Sequence, residues 1–125
     1  MIKRVVVAGC RDFNDYNKVK KYIDFFISDI KNKYDLVFIS GGCKGVDVLG
    51  ELYAKENGFK IERYIPNWTK YGKRAGPERN KYMAKIGDYI ICFWDYKSKG
   101  TKSMIEYAKR YSKPIRVINI LNFKL

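Results

Sequence analysis

Three short segments carry the residues most able to do chemistry, and that chemistry is the holding of an anion. They are Gly9-Cys10-Arg11-Asp12, Ser40-Gly41-Gly42-Cys43-Lys44-Gly45-Val46-Asp47 and Ser98-Lys99-Gly100-Thr101. Glycine permits positive φ and lets backbone N–H groups come close to a ligand. Where such a stretch opens a helix, the unpaired N–H groups and the dipole of the first turn favour negative charge. Each segment also has a plain structural reading, Gly-Gly as a tight turn and Thr101 as a helix cap. The spacing is neither Gly-x-Gly-x-x-Gly after the first strand nor the Gly-x-x-x-x-Gly-Lys-Ser/Thr of a P-loop, which argues against an ordinary dinucleotide dehydrogenase and a phosphoryl-transfer NTPase.

Other chemistries are narrowed by what the chain lacks. With no histidine, the usual general base, the usual metal ligand and every Ser-His or Cys-His mechanism are removed together. Cys10, Cys43 and Cys92 are odd in number and widely spaced, without Cys-x-x-Cys. That pattern fits a reducing compartment and argues against a disulfide frame or a zinc site. No metal and no cofactor are expected.

The elements that must position these segments follow from periodicity. Val5-Val6-Val7-Ala8-Gly9, Leu36-Val37-Phe38-Ile39-Ser40 and Tyr89-Ile90-Ile91-Cys92-Phe93-Trp94 read as strands buried on both faces. Lys60 to Ile65 and Pro114 to Ile120 read as two more. Val19, Tyr22, Ile23, Phe26 and Ile30 give an amphipathic helix from Tyr16 to Lys33, capped by Asp15. Val46, Leu49, Tyr53 and Ala54 line a second helix, which Asn57-Gly58 stops. Pro66 to Gly76 reads as a polar, aromatic loop, and Pro77 opens a short helix to about Ile86. A last helix turns Met104, Ile105, Ala108 and Tyr111 inward, and the final five residues form a tail. Alternating strands and helices of this kind predict a doubly wound, five-stranded parallel sheet, Rossmann-like, with ligands at the carboxyl ends of the strands. All three glycine segments fall on that rim.

At 125 residues and 46% hydrophobic content, the expectation is one domain spanning residues 1–125 with a real core. No apolar run approaches the roughly 20 residues of a membrane span. Met1-Ile2-Lys3-Arg4-Val5 enters a strand with no cleavage site, so the chain is read as soluble and cytoplasmic. The net charge of +13 favours anionic partners, although scattered lysines on solvated helix faces, or genome composition, account for such a charge equally well.

Read in order, several strings resemble the YspA-type, cpYpsA-related branch of the SLOG superfamily. They are Val7-Ala8-Gly9-Cys10-Arg11-Asp12-Phe13, Ser40-Gly41-Gly42-Cys43-Lys44-Gly45-Val46-Asp47, Tyr71-Gly72, Ala75-Gly76-Pro77-Glu78-Arg79-Asn80, and Phe93-Trp94-Asp95 followed by Ser98-x-Gly100-Thr101. The likeness runs from about Val5 to Val117. Cys10 and Cys43 stand where the family usually has Ser or Thr and Ala, small residues that leave the loops intact and give no hint of thiol catalysis. The resemblance implies strand order 3-2-1-4-5 and the binding of nucleotide-derived ligands, with ADP-ribose and NAD derivatives as the class. It also implies distant kinship with the lonely-guy phosphoribohydrolases, which cleave the N-glycosidic bond of nucleoside monophosphates, and with the DNA-processing protein A family, which binds single-stranded DNA.

By that likeness, Arg79 and Met83 match the hydrolases' Arg-x-x-x-Met motif, with Arg79 as the phosphate or ribose clamp and Asn80 beside it in the site. The hydrolases also need a glutamate just after Gly-Thr. Here Gly100-Thr101 is followed by Lys102, Ser103 and Met104, and Glu106, two residues on, is rotated away by roughly 200°. Asp47 reads either as a charge complementing its helix dipole or as an acceptor for ribose hydroxyls. Asp95 reads as a strand end or a sugar contact, Glu78 as a first-turn charge, and Trp94 as a base-stacking ring or core filling. Lys44 suits a phosphate contact. Arg11 suits a phosphate, Asp12 or Asp47.

The leading expectation is a protein that binds a phosphate-bearing nucleotide derivative as sensor or sequestering agent. The alternative is an N-glycosidase using Asp47, Glu78 or Asp95. A third reading is single-stranded DNA binding through the positive charge, Trp68 and Tyr71. Expected partners are therefore a nucleotide-derived small molecule and, weakly, nucleic acid, with no membrane; a homo-oligomer is left open.

Overall fold

The apolar runs form strands that bury both faces, and alternate side chains divide between two core layers. The strands are β1 (Ile2–Gly9), β2 (Asp35–Ser40), β3 (Lys60–Arg63), β4 (Tyr89–Trp94) and β5 (Ile115–Asn119). The helices are α1 (Tyr16–Ile27), α2 (Val46–Glu56), α3 (Trp68–Tyr71), α4 (Ala75–Ile86) and α5 (Lys99–Arg110), with a 3-10 turn at Gly72–Arg74. The computed structural model describes residues 1–121, so all but the first residue of the expected tail lies outside the described residues. The sheet is parallel throughout, in the order β3-β2-β1-β4-β5.

One layer gathers Val5 and Val7 of β1, Leu36 and Phe38 of β2, and Ile91 and Phe93 of β4 against Val19 and Ile23 of α1 and Tyr53 of α2. The opposite layer gathers Val6, Val37, Ile39, Ile90 and Cys92 against Met83 of α4 and Met104 and Ile105 of α5. This is the period-two alternation of a strand covered on both sides. Each large apolar side chain so buried contributes roughly 1.5–3 kcal/mol. No helix among the described residues is long and apolar enough to cross a membrane.

Element edges differ from the sequence expectation for local reasons. Helix α1 stops at Ile27 rather than Lys33, because Ser28 Oγ donates to Phe25 O at 2.9 Å and Ile30 N turns to Ile27 O at 3.0 Å, tightening the chain into turns. Ile30 still packs on the core from there. Strand β3 ends at Arg63, just before Pro66, which has no N–H to pair. Inside the expected loop 66–76, Asn67 accepts from Lys70 N at 3.0 Å and starts the single turn of α3. Helix α4 begins at Ala75, which puts Pro77 third in the helix, where its missing N–H is no loss.

Candidate functional site

Strands β1 and β4 are neighbours whose connections run in opposite directions, so the crevice beyond their carboxyl ends is the switch point of the sheet. A cleft of about 410 Å³ opens there.

From the end of β1, Gly9 allows close approach, since a Cβ would stand 2.5 Å from Phe93 O and 2.7 Å from a methyl of Val46. Cys10 lines the cleft with its thiol donating to Phe93 O at 3.6 Å. Burial pushes that thiol up to about 11, which makes it a neutral wall. Arg11 and Asp12 are exposed at the mouth. Among the described residues Arg11 forms no ion pair with Asp12, Asp47 or any other acid. Its Nη2 lies 3.9 Å from Cys43 Sγ.

The β2–α2 loop holds itself together more than it faces solvent. Gly42 N donates to Ser40 Oγ at 3.0 Å, Cys43 N to Asp47 Oδ2 at 3.2 Å, and Val46 N to Cys10 O at 3.2 Å. Gly45 makes this path possible: its φ is +84°, and a Cβ there would stand 2.3 Å from Cys10 O. Only Cys43 and Asp47 of this segment reach the cleft. Lys44 is exposed and, like Gly45, lies outside the cleft lining, while Gly41 and Gly42 line a neighbouring groove.

Asp47 is 7% exposed at the head of α2. Burial is the main influence on its carboxyl and raises it to about 6, against the opposing pull of the Cys43 amide and of Arg79. From α4, Arg79 donates Nε to Asn80 Oδ1 at 2.9 Å and Nη1 to two backbone carbonyls, Gly41 O at 2.8 Å and Tyr64 O at 3.2 Å. Its Nη2 has only Cys43 Sγ, at 3.9 Å. Arg79 is thus a brace of the rim first, with one edge left toward the cleft. Asn80 completes the brace by donating to Gly100 O at 3.2 Å.

Beyond β4, Asp95 Oδ1 accepts from Ser98 N at 2.7 Å and Lys97 N at 2.8 Å. Those two amides hold its carboxyl below the usual aspartate range. Trp94 Nε1 donates to Ser98 O at 3.0 Å, and its ring stacks on Tyr96 with centroids 4.4 Å apart. It braces the β4–α5 loop and does not line the cleft. Ser98 caps α5, with Oγ 3.2 Å from Thr101 Oγ1. The first-turn amides of Lys99 and Gly100 have no intrahelical acceptor. A Cβ on Gly100 would meet nothing within 4 Å, so this turn stays open to the cleft.

Met83 and Met104 form the apolar end of the cleft. No carboxylate stands on α5 where the hydrolase likeness would require one. Glu106 lies in a separate groove with Lys102 and Arg110, and Glu78 is outside the cleft lining as well. Two parts of the site went unseen in the sequence. Lys97 joins the lining only because Asp95 turns the chain there, and the groove past Arg79 is built by Arg63, Ile65 and Pro66, for which the polar, aromatic character of loop 66–76 was the one signal.

The model of the YspA, cpYpsA-related SLOG family matches residues 3–71, more than half of the chain. The chain belongs to that family. The matched span takes in the β1–α1 and β2–α2 loops of this SLOG domain and stops before Arg79 and the β4–α5 loop. Among curated proteins, the Gene 61 protein of Mycobacterium phage D29 is 28% identical over 121 residues, covering 91% of this chain and 94% of that protein. Among solved structures, DNA processing protein A from Streptococcus pneumoniae superposes with a TM-score of 0.72 at 22% identity, covering 97% of this chain and 52% of the other. DNA processing protein A from Helicobacter pylori, described with its single-stranded DNA binding mode, gives 0.68 at 22% identity, covering 92% and 64%. This SLOG chain therefore spans about half to two-thirds of those proteins, and the likeness is one of fold.

Proposed function

We propose that this SLOG-family chain binds a phosphate-bearing nucleotide derivative of the ADP-ribose class in the switch-point cleft, as a sensor or sequestering protein. The observation that carries this reading is Arg11, a guanidinium in no ion pair among the described residues, on the same cleft as the open first turn of α5. Both favour a phosphate group. Asp47 and Asp95, on the same lining, suit the hydroxyl donors of a ribose. The volume of about 410 Å³ falls within the roughly 300–1,000 Å³ usual for small-molecule sites. Binding is preferred to N-glycoside cleavage because Met104 stands where the hydrolase likeness calls for a carboxylate. Of the three acids that could serve instead, Glu78 is outside the cleft lining, and Asp47 and Asp95 already accept backbone amides.

One observation favours a second reading, single-stranded DNA. Residues 66–86 and 95–113 hold twelve Lys and Arg against three Asp and Glu, a net +9 of the chain's +13, so the α3, α4 and α5 side carries most of the net positive charge. Trp68 is also 58% exposed there. A dispersed lysine surface of this kind binds polyanions weakly and loses them steeply with salt.

Thermal unfolding separates the readings. At about one hundred times its dissociation constant a ligand adds roughly 2.7 kcal/mol to the native state. ADP-ribose should therefore raise Tm by on the order of 10 °C, while adenosine, lacking phosphate, should leave it unchanged. Equal shifts with both would remove the phosphate seat. A larger shift with an oligothymidylate that persists in high salt would replace this reading by the second.

A further inference from the structure

Beside the main cleft lies a groove of about 290 Å³, reached past Arg11, Cys43 and Arg79, which line both. We propose that this groove seats the base of the same ligand, stacked on Trp68, and that the ligand crosses from groove to cleft as a diphosphate. The proposal rests on the nucleotide reading above and adds to it the length and layout of the ligand: base, diphosphate bridge and ribose, in place of a mononucleotide.

The first support is the pairing of surfaces. The groove is walled by Ile65, Pro66 and Trp68, with Ile65 73% and Trp68 58% exposed. Two large apolar side chains left in water beside a proline form a surface that a planar, aromatic group would cover. No residue from α3 is buried, so nothing in the helix's own packing requires Trp68 there. Arg63 forms another wall, and its charge is already matched: its guanidinium pairs with Glu51, donating Nε at 3.0 Å and Nη2 to the other carboxylate oxygen. The groove thus offers an apolar seat, and among the described residues its cations are Arg63, paired with Glu51, and the Arg11 and Arg79 that it shares with the cleft.

The second support is the waist between the two lobes. Arg11 Nη2 and Arg79 Nη2 both converge on Cys43 Sγ, each at 3.9 Å. A thiol sulfur is a weak acceptor, so among the described residues each Nη2 meets sulfur at this point and makes no hydrogen bond to an oxygen, with the Asp47 carboxylate acting on both only at longer range. A segment of ligand passing this point is best matched by phosphate oxygens, which guanidinium groups bind with short, charge-assisted hydrogen bonds. On the cleft side of the waist stand Asp47 and Asp95 for ribose hydroxyls, and on the groove side stands Trp68 for the base. Lys70, Lys73 and Arg74, the cations a longer strand of nucleic acid would follow, line neither lobe.

The test compares ADP-ribose with ribose 5-phosphate by titration calorimetry, in the wild type and in Trp68→Ala and Trp68→Phe. Stacking of a base on an aromatic ring gives the scale of the expected effect. ADP-ribose should bind the wild type roughly tenfold or more tightly than ribose 5-phosphate. Trp68→Ala should erase that advantage without changing ribose 5-phosphate affinity, and Trp68→Phe should restore part of it. ADP-ribose binding that is indifferent to Trp68→Ala overturns the groove proposal and leaves the nucleotide reading standing, as does equal affinity for the two ligands. If neither ligand binds, both fall. An oligothymidylate that binds more tightly than ADP-ribose and depends on Trp68 overturns the proposal in favour of a strand-binding groove.

Discussion

Asparagine in place of Asp47 should give a protein that is more stable at neutral pH and a poorer binder. Asp47 is buried, and its carboxyl titrates at about 6 in the folded chain against an ordinary value of 3.8. Below the ordinary value the group is protonated in both states and contributes nothing. As pH rises from about 4 to about 6 the unfolded chain releases the proton first, so stability falls, and above that range the loss is complete. A difference of this size corresponds to about 3 kcal/mol. Asparagine keeps an oxygen to accept from Cys43 N and has no charge to desolvate, so a gain of about 2–3 kcal/mol at pH 7.5 is expected, with the fall between pH 4 and 6 flattened. Urea unfolding of both proteins at pH 5 and pH 7.5 measures this directly. Under the proposed function, a carboxylate kept at such a cost serves the ligand. Its loss as an acceptor for a ribose hydroxyl should weaken ADP-ribose by about tenfold, on the scale of a charged hydrogen bond. A variant less stable than the wild type at pH 7.5 would contradict the account of Asp47 as a strained acceptor.

Arg79→Ala should lose both stability and affinity. Three of the five N–H donors of a guanidinium go here to protein oxygens, on Gly41, Tyr64 and Asn80. Truncation leaves two backbone carbonyls and the Asn80 amide without that partner and frees the β2–α2 loop from α4, at about 2–4 kcal/mol. Binding of ADP-ribose, measured well below the lowered Tm, should fall by more than tenfold, because the waist loses one of its two cations and the rim loses its brace. Arg79→Lys should recover only a part of each, since one ammonium cannot reach Gly41 O and Tyr64 O while also facing the cleft. Wild-type stability in Arg79→Ala with a large affinity loss would mean that Arg79 is a free ligand clamp after all.

These two residues show how far the chain could be read without coordinates. The two core layers follow from apolar runs such as Val5-Val6-Val7 and Ile90-Ile91-Cys92, which sit between two helical layers, whereas the sheet order was implied by the family resemblance and not by the runs themselves. The rim was legible for the same reason, since strand ends fix where Gly9, Asp47, Asp95 and Gly100 fall. Partner choice was not legible. Nothing in the order of residues shows that Arg79 turns to Gly41 O and Tyr64 O, that Trp94 bonds back to Ser98 O, or that Gly42 N and Cys43 N find acceptors inside the loop. Those contacts arise between segments distant in sequence or from loop dihedrals that composition leaves open. The turn of α3 was readable in principle, because Asn67 is a strong cap, but its position among polar and aromatic residues without periodicity concealed it.

Cys43 offers the most direct measurement of the central claim. It is half-buried at the waist, between Arg11 and Arg79, while Cys10 and Cys92 are buried. Its rate of alkylation by iodoacetamide, followed by mass spectrometry of the intact protein, therefore reports occupancy at that one place. Saturating ADP-ribose should slow the modification of Cys43 by about tenfold or more, and adenosine should leave it unchanged, as expected when ligand closes access by mass action. Alkylation at the same rate with and without saturating ADP-ribose would contradict a nucleotide seat in this cleft.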